Sequence, residues 1–316
     1  MNDKIEFGYC CINLSMPDVT VNRSCIKRTF LAKGLPYVSS LALQNVKDLV
    51  EIIKWNHKNN VKIYRMSSDM FPWMSEYSFE DLPDYNKIKN ILKGAGTLAK
   101  TYGIRLSFHP GPFNVLGSPN QEALTKTIKD LNKHAEIMDM MGLDQSHYYP
   151  INIHCNGTYG DKDATLKRWC DGFAKLSASA QRRLVVENDD RPNLYSVKEL
   201  YEGIYENIGV PVTFDYHHHR LCSGDMTEQD AFEMAYSTWD VTPLFHYSSC
   251  KRTFEDSGAN VRAHADYIYE KVNNYGKKIH VEFESKAKDL ALLNYLKNTD
   301  KMLESYLAFD NYQQLN

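Results

Sequence analysis

The sequence of 316 residues lacks several features that would mark a membrane or secreted protein. No stretch of 18 or more apolar residues occurs, which argues against a membrane span. No apolar signal core follows the first residues, so we expect an intracellular protein, with cytoplasm, nucleoid and nucleus left open. The seven cysteines have no regular spacing, which favours reduced thiols over a disulfide framework. No repeat, low-complexity tract or interdomain linker appears, and we therefore expect a single domain over residues 1–316.

Two further absences bear on function. A glycine-rich phosphate loop, which would support an open doubly wound nucleotide-binding sheet, is missing. Positive charge is not in excess, since 37 Lys and Arg against 40 Asp and Glu give a formal net charge of −3. This balance argues weakly against a nucleic-acid partner, although a local basic rim and bound cations can offset phosphate charge.

The chain does contain a regular alternation of strand-like and helix-like segments. The predicted strands lie near 5–10, 62–66, 104–109, 150–155, 183–188, 210–215, 243–247 and 278–284. The predicted helices lie near 45–59, 86–102, 121–141, 163–179, 196–207, 227–238, 262–275 and 287–307. This alternation predicts parallel strands with right-handed crossovers, and hence an α/β fold of the TIM (β/α)8 barrel type. The irregular stretches 14–44, 110–120 and 248–261 are expected to carry the site.

Six of the apolar runs lead into a residue that can bind a metal: His109, His154, Glu187, Asp215, His246 and Glu284. In a parallel barrel these residues meet at the C-terminal face of the strands. His218 converges with Asp215 if the chain turns directly after the strand, and His264 and Asp266 are expected at the start of a later helix. Burying so many charges without cations would be costly, which favours a metal site over hydrogen-bonded structural roles.

The donor types and their number indicate what the site would hold. Imidazole together with carboxylate suits Mn²⁺, Zn²⁺ or Fe²⁺ better than Ca²⁺ or Mg²⁺. Eight or nine ligands suit two or three divalent ions, for which we take Mn²⁺ as first choice and Zn²⁺ or another ion as alternatives. Glu187, on a central strand, is our candidate for a bridging ligand. Glu282 lies one layer lower in the barrel and is expected either to support a metal ligand from behind or to form an internal ion pair.

Ordered motifs run through nearly the whole chain. They occupy 8–14, 64–69, 108–111, 153–162, 186–189, 215–218, 246–249, 264–266 and 284–288. On these motifs the chain resembles the UV damage endonuclease family, relatives of endonuclease IV within the xylose-isomerase-like TIM barrels. The resemblance implies a metal-dependent DNA repair endonuclease that nicks damaged double-stranded DNA immediately 5′ to UV photoproducts and at other lesions such as abasic sites. We expect it to act as a monomer, without a membrane or an obligate protein partner.

The resemblance also implies residue roles. A first ion would be held by His109, His154 and Glu187, a second by Glu187, Asp215, His246 and Glu284, and a third by His218, His264 and Asp266. Glu187, His246 and Glu284 would be the catalytic residues. Tyr9 and Asn13 match residues that contact the damaged strand, and Phe113, Tyr159 and Lys286 are expected beside them on the DNA-binding loops.

The chain departs from the family pattern at two positions. Pro112-Phe113 replaces the Gln-Tyr pair that probes the unstacked duplex in many members, so that only Phe113 is left to wedge between bases. Leu244 stands two residues before His246, where the family often has a lysine that can be carboxylated.

A metal-dependent sugar isomerase or epimerase on the same barrel is the alternative, because it too needs divalent metal bound by His, Glu and Asp. The number of ions and an aromatic and basic rim distinguish the two classes, and both favour the nuclease. A non-catalytic sensor of damaged DNA is a third reading, which the retention of every expected ligand disfavours.

Overall fold

A computed structural model describes residues 4–302 as eight parallel strands surrounded by helices. The strands are β1 Ile5–Cys10, β2 Ile63–Met66, β3 Arg105–Phe108, β4 Ile151–His154, β5 Leu184–Glu187, β6 Val212–Thr213, β7 Leu244–Tyr247 and β8 Ile279–Phe283. They follow the order β6-β5-β4-β3-β2-β1-β8-β7. A parallel bridge between Asp215 and His246 joins β6 to β7, where the His246 amide donates to the Phe214 carbonyl at 3.0 Å. The predicted TIM barrel is confirmed.

The strands are short and buried on both faces, as expected where helices cover a parallel sheet. Every residue of β2, β3, β5, β7 and β8 is buried. Close strand packing accounts for Gly8, because a Cβ at this position would lie 2.2 Å from the Ile63 carbonyl oxygen. Any larger residue would push β1 away from β2 and disturb the barrel.

The helices follow the strands in the order required for crossover connections. Their bounds are α1 Lys27–Lys58, α2 Tyr85–Tyr102, α3 Gln121–Met140, α4 Lys162–Phe173, α5 Ala178–Gln181, α6 Val197–Leu200, α7 Glu206–Ile208, α8 Tyr216–Leu221, α9 Glu228–Ser237, α10 Lys251–Phe254 and α11 Lys288–Asn298. A π-helical segment, Tyr201–Tyr205, joins α6 to α7. Ser196 and Glu199 form the predicted capping box, and Gly103 ends α2 with a φ of 64°. No helix within residues 4–302 is long and apolar enough to cross a membrane.

Two segments differ from the sequence-based prediction. Helix α1 begins at Lys27, not near residue 45, and it bends at Gly34, whose φ of 64° and ψ of −163° are not helical. Gly34 and Pro36, which are unfavourable within helices, led to the prediction of an irregular stretch here. Residues 262–275 form no helix. Their backbone pairs with the chain after β7 instead, since the Lys251 amide donates to the Ala263 carbonyl at 2.8 Å. The predicted helix 287–307 ends at Asn298, and its last residues lie outside the described part of the chain.

Candidate metal centre

The carboxyl ends of the strands bring the predicted ligands together. His154, Glu187 and His246 belong to β4, β5 and β7, and His109 and Glu284 directly follow β3 and β8. Asp215 follows β6 and caps helix α8, in which its Oδ1 accepts from the amide of His218 at 2.8 Å. His264 comes from the loop after α10 and forms an isolated antiparallel bridge with Cys250. The turn expected after β6 is therefore a short helix, and it places Asp215 and His218 side by side.

Three groups of side chains have ligand atoms within 4.8 Å of one another. The groups are His109, Glu187, His246 and Glu284; then His154, Glu187 and His218; and last His218, His264 and Glu284. Glu187, His218 and Glu284 each belong to two groups, so the three candidate sites form one continuous centre. This grouping differs from the predicted one, in which His109 and His154 shared an ion and His218 did not approach Glu187.

Several imidazole rings are oriented by contacts that Nδ1 makes with backbone or carboxylate oxygens. His218 Nδ1 lies 3.0 Å from the Asn188 carbonyl oxygen, and His264 Nδ1 lies 3.0 Å from the Glu284 carbonyl oxygen. His154 Nδ1 lies 3.4 Å from Asp189, a buried carboxylate within one of the quoted motifs. Such contacts select a tautomer and leave Nε2 for a metal.

Arg65 is a member of the centre that the sequence did not single out. Its guanidinium donates to Glu282 at 2.7 Å and to Glu284 at 2.6 Å, and it lies 2.8 Å from His246 Nε2. Glu282 also accepts from the Ser107 hydroxyl, which confirms its expected place in an internal ion pair. Arg65 thus supplies a fixed positive charge beneath the acidic ligands. Its only signal in the sequence is its position within the 64–69 motif.

The charged side chains in the centre shift one another's pKa values. Burial by itself would raise the pKa of Glu187, but His246 and His154 outweigh it and hold that pKa well below its usual value. Burial lowers the pKa of His246, whereas Glu187 raises it, and the balance puts it at about 9. Burial also opposes ionisation of Glu282, yet Arg65 brings its pKa down to about 2. Metal binding would therefore displace a proton from His246.

Unsatisfied polar atoms in this buried region fit a metal. Asp215 Oδ2, Glu187 Oε1 and His246 Nδ1 make no hydrogen bond with any residue between 4 and 302. Buried carboxylates and imidazoles rarely lack a hydrogen-bond partner, because each unpaired polar atom costs free energy. Asp215 lies outside the three groups, but it is fully buried, and burial together with Glu187 and Glu284 raises its pKa. A divalent cation would satisfy these atoms and offset the acidic charge.

Three predicted site residues do not lie where they were expected. Asp266 is half exposed and faces Lys251 at 3.5 Å, so it is not part of the centre. Tyr9 and Asn13 are 0% and 1% exposed, and the Asn13 amide donates to the Tyr9 hydroxyl at 2.8 Å. The Tyr9 hydroxyl in turn donates to Asn56 at 2.9 Å. Both residues are buried and used in internal hydrogen bonds, and their contact with a DNA strand stays a prediction.

The remaining predicted contacts do lie on the rim. Phe113 is 90% exposed at the tip of the loop after β3, and Tyr159 is 46% exposed after β4. Lys286 is exposed after β8. Other basic residues of the loops are engaged internally: Lys162 donates to Glu199 at 2.6 Å, and Arg220 is buried against Glu270 at 3.0 Å.

The chain is similar to known proteins over nearly its whole length. A family model described as UV-endonuclease UvdE matches residues 5–310. A UV DNA damage endonuclease of Clostridium perfringens is 30% identical over 326 residues, covering 98% of this chain and 76% of that protein. The crystal structure of SacUVDE is 27% identical with a TM-score of 0.82 and covers 94% of this chain and 98% of that one. Endonuclease IV from Thermus thermophilus, 12% identical with a TM-score of 0.55, covers 94% and 99% and shares the fold.

Proposed function

Because the chain belongs to the UV-endonuclease UvdE family, we propose that it is a DNA repair endonuclease that nicks the backbone of damaged duplex DNA immediately 5′ to UV photoproducts and at other lesions such as abasic sites. The observation that carries this proposal is the family match over residues 5–310, which takes in every candidate ligand. The continuous His and Glu centre at the mouth of the barrel supports it, since hydrolysis of a phosphodiester needs compensation of the phosphate charge.

The proposed cofactor is a set of two or three divalent ions, with Mn²⁺ as first choice. Three overlapping ligand groups support this number, and the mixture of imidazole and carboxylate supports the type of ion. Such ions, when bound, supply a Lewis acid that ionises water near neutral pH and offsets charge on the phosphate.

The side chains then have distinct tasks. Glu187, His246 and Glu284 are proposed as the catalytic residues, which hold the ions at the reacting phosphate. Arg65 keeps Glu284 ionised and fixes its direction through the 2.6 Å contact. Asp215 offers a buried oxygen without a hydrogen bond toward the same region.

The alternative of a sugar isomerase or epimerase receives no support from a specific observation. The family match is to the endonuclease, and the rim exposes the aromatic side chains of Phe113 and Tyr159. Phe113 at 90% exposure suits a wedge that enters an unstacked duplex.

Phe113→Ala tests the lesion contact. We expect it to weaken binding to UV-irradiated duplex roughly tenfold or more, because the loss of an aromatic base contact forfeits about 1–3 kcal/mol. Binding is measured by fluorescence anisotropy, and the metal content is measured as a control that should not change. Equal affinity of variant and wild type for the irradiated duplex would place lesion recognition elsewhere on the rim.

The position of the cut is tested on end-labelled duplexes that carry one UV photoproduct or one abasic site at a known position. The proposal predicts a metal-dependent nick directly 5′ to the lesion, and no product from the matched undamaged duplex. A cut on the 3′ side, or equal cutting of the undamaged duplex, would contradict it.

A further inference from the structure

The segment that connects β1 to the main part of α1 has an unusual charge for this chain. Between Val19 and Lys47 there are five Lys and Arg and no Asp or Glu, although the whole chain has a formal net charge of −3. Arg23 is paired with Asp48 and makes backbone contacts. Lys27, Arg28 and Lys33 form no ion pair with any residue in 4–302, and all three are exposed. Three uncompensated cations therefore lie within seven residues.

The same segment exposes apolar side chains. Ile26 is 63% exposed and Leu31 is 71% exposed. Among the large hydrophobic residues of the described chain, only Phe113 is more exposed. Leu31 lies four positions after Lys27 and three after Arg28 in the first turns of α1, so its side chain is next to both cations on the outward face. Lys27 and Lys33 lie over the rings of Trp73 and Tyr37, at 5.9 and 4.3 Å from the ring centroids, so the segment combines cations without a carboxylate partner with exposed apolar side chains.

Packing fixes this face at the mouth of the barrel. On the inner side of the helix, Phe30 stacks on Trp73 with ring centroids 6.1 Å apart and planes 6° from parallel. The Trp73 indole donates to the Cys25 carbonyl at 2.8 Å, which ties the segment to the loop after β2. The loop just after β1 is held to the β8 side of the rim, where the Leu14 amide donates to Asp289 at 2.6 Å. The loop after β2 also carries Phe79, which lies under Lys133 of α3 at 4.2 Å.

We infer that Ile26–Lys33 is a second DNA-binding surface, which contacts duplex at the β1 and β2 side of the mouth, next to the loop that carries Phe113. Lys27 and Arg28 would neutralise backbone phosphates, and Leu31 with Ile26 would lie against the sugars and base edges of the groove. This inference rests on the proposed function for the nature of the damaged substrate. The contact itself is with any duplex, because phosphates carry no information about the lesion.

The test compares Lys27→Gln/Arg28→Gln with wild type in the salt dependence of binding to an intact duplex. Each lost phosphate contact should reduce the slope of log Kd against log salt by about 1, so we expect a reduction of about 2. Lys54→Gln/Lys58→Gln is the matched control, because both lysines are exposed at the far end of the same helix and give the same change in charge. Leu31→Ser should weaken binding without changing the slope. Melting temperatures and metal content should be the same in all variants.

Nicking of UV-irradiated duplex by the same preparations separates this inference from the proposed function. The double variant should show a raised KM and an unchanged kcat. An unchanged salt slope, or the same change in the Lys54 and Lys58 control, would contradict the inference that Ile26–Lys33 binds DNA. Loss of binding to anionic phospholipid vesicles by the double variant, with DNA binding as in wild type, would also contradict the inference. If the slope changes as expected but wild type does not nick irradiated duplex, the proposed function fails and the binding surface stands.

Discussion

Glu187 is the residue on which most of the centre depends. It ends β5, is completely buried, and lies within reach of His109, His154, His218 and His246. A carboxylate in this position is stabilised by the surrounding imidazoles despite the cost of burial. Glu187 belongs to two of the three ligand groups and would be a ligand in both when metal is bound.

Glu187→Gln should therefore remove more metal than His264→Ala. Glutamine has nearly the same shape but lacks the charge, and its loss affects two groups, whereas His264 belongs to one. Elemental analysis of the two variants, prepared side by side with Mn²⁺, measures the difference. Equal metal content and equal nicking rates in both variants would contradict a bridging role.

His280 offers a pH test away from the candidate ligands. It is buried, with Nδ1 3.1 Å from the Arg105 guanidinium, and burial together with Arg105 lowers its pKa to about 3. The unfolded value is near 6.5, so below pH 6.5 the unfolded chain binds a proton that the folded chain does not. This group therefore costs no stability above pH 6.5, and its cost grows as the pH falls from 6.5 toward 3.

Wild type should lose stability relative to His280→Asn by up to ~1.4 kcal/mol per pH unit below pH 6.5. Asparagine keeps an acceptor for Arg105 but does not titrate. Urea unfolding of both proteins between pH 8 and pH 4.5 gives the difference directly. A difference that does not vary with pH would show that His280 does not enter this balance.

For single residues, the ends of the apolar runs predicted the candidate ligands but not the side chains that contact them. His109, His154, Glu187, His246 and Glu284 follow from where the apolar runs stop. Arg65 could not be predicted in the same way, because its contacts depend on the position of β2 relative to β7 and β8. The burial of Tyr9 and Asn13 depends likewise on Asn56, which a distant turn of α1 places beneath them.

The bend in α1 is the main feature at the level of secondary structure. Gly34 has a φ of 64° and a ψ of −163°, a region of backbone space that is open to glycine and strained for other residues. The bend separates the exposed first turns from the main part of the helix, whose first fully buried residue is Val38. It allows the basic segment to lie over the loop after β2.

Gly34→Ala should destabilise the protein by roughly 1–3 kcal/mol, because the cost is in the backbone rather than in space. A Cβ at Gly34 would meet only Pro36 Cδ at 3.8 Å. Gly94→Ala is the matched control, since Gly94 lies within helix α2 with no atom within 4 Å of a Cβ, and we expect a gain of roughly 0.5–1 kcal/mol. Thermal unfolding of the two variants would contradict this account if Gly34→Ala were as stable as Gly94→Ala.

The helix predicted for residues 262–275 does not form, because tertiary hydrogen bonds outweigh the local helix preference of this segment. Residues 262–275 have a helix-like pattern, but Glu255 accepts from the amides of Asp266 and Tyr267 at 2.7 and 3.2 Å. The Ala265 amide also donates to Ser249 at 2.8 Å. These contacts take up the amides that a helix would need, and they hold His264 beside Glu284. No local pattern in the sequence contains this information.

At the scale of the whole molecule, the barrel brings the candidate ligands together at one mouth. Eight parallel strands point their carboxyl ends at one mouth, and the bridge from Asp215 to His246 closes the barrel directly at the centre. An overall charge of −3 is compatible with DNA binding because uncompensated cations and exposed aromatic side chains are grouped on the rim. Fold class and strand positions could be predicted from the sequence because the alternation of elements is regular, whereas rim contacts depend on loop packing.

The most direct test of the account is the nicking of UV-irradiated plasmid DNA by the wild-type protein and Glu187→Gln, with Mn²⁺ and with EDTA. The account predicts that wild type with Mn²⁺ relaxes irradiated plasmid and leaves intact plasmid supercoiled. EDTA should abolish the reaction, and Glu187→Gln should reduce its rate by at least two orders of magnitude, roughly the loss expected when a charge-stabilising group at the reacting centre is removed. Undiminished nicking by Glu187→Gln, or equal nicking of irradiated and intact plasmid by wild type, would contradict the account.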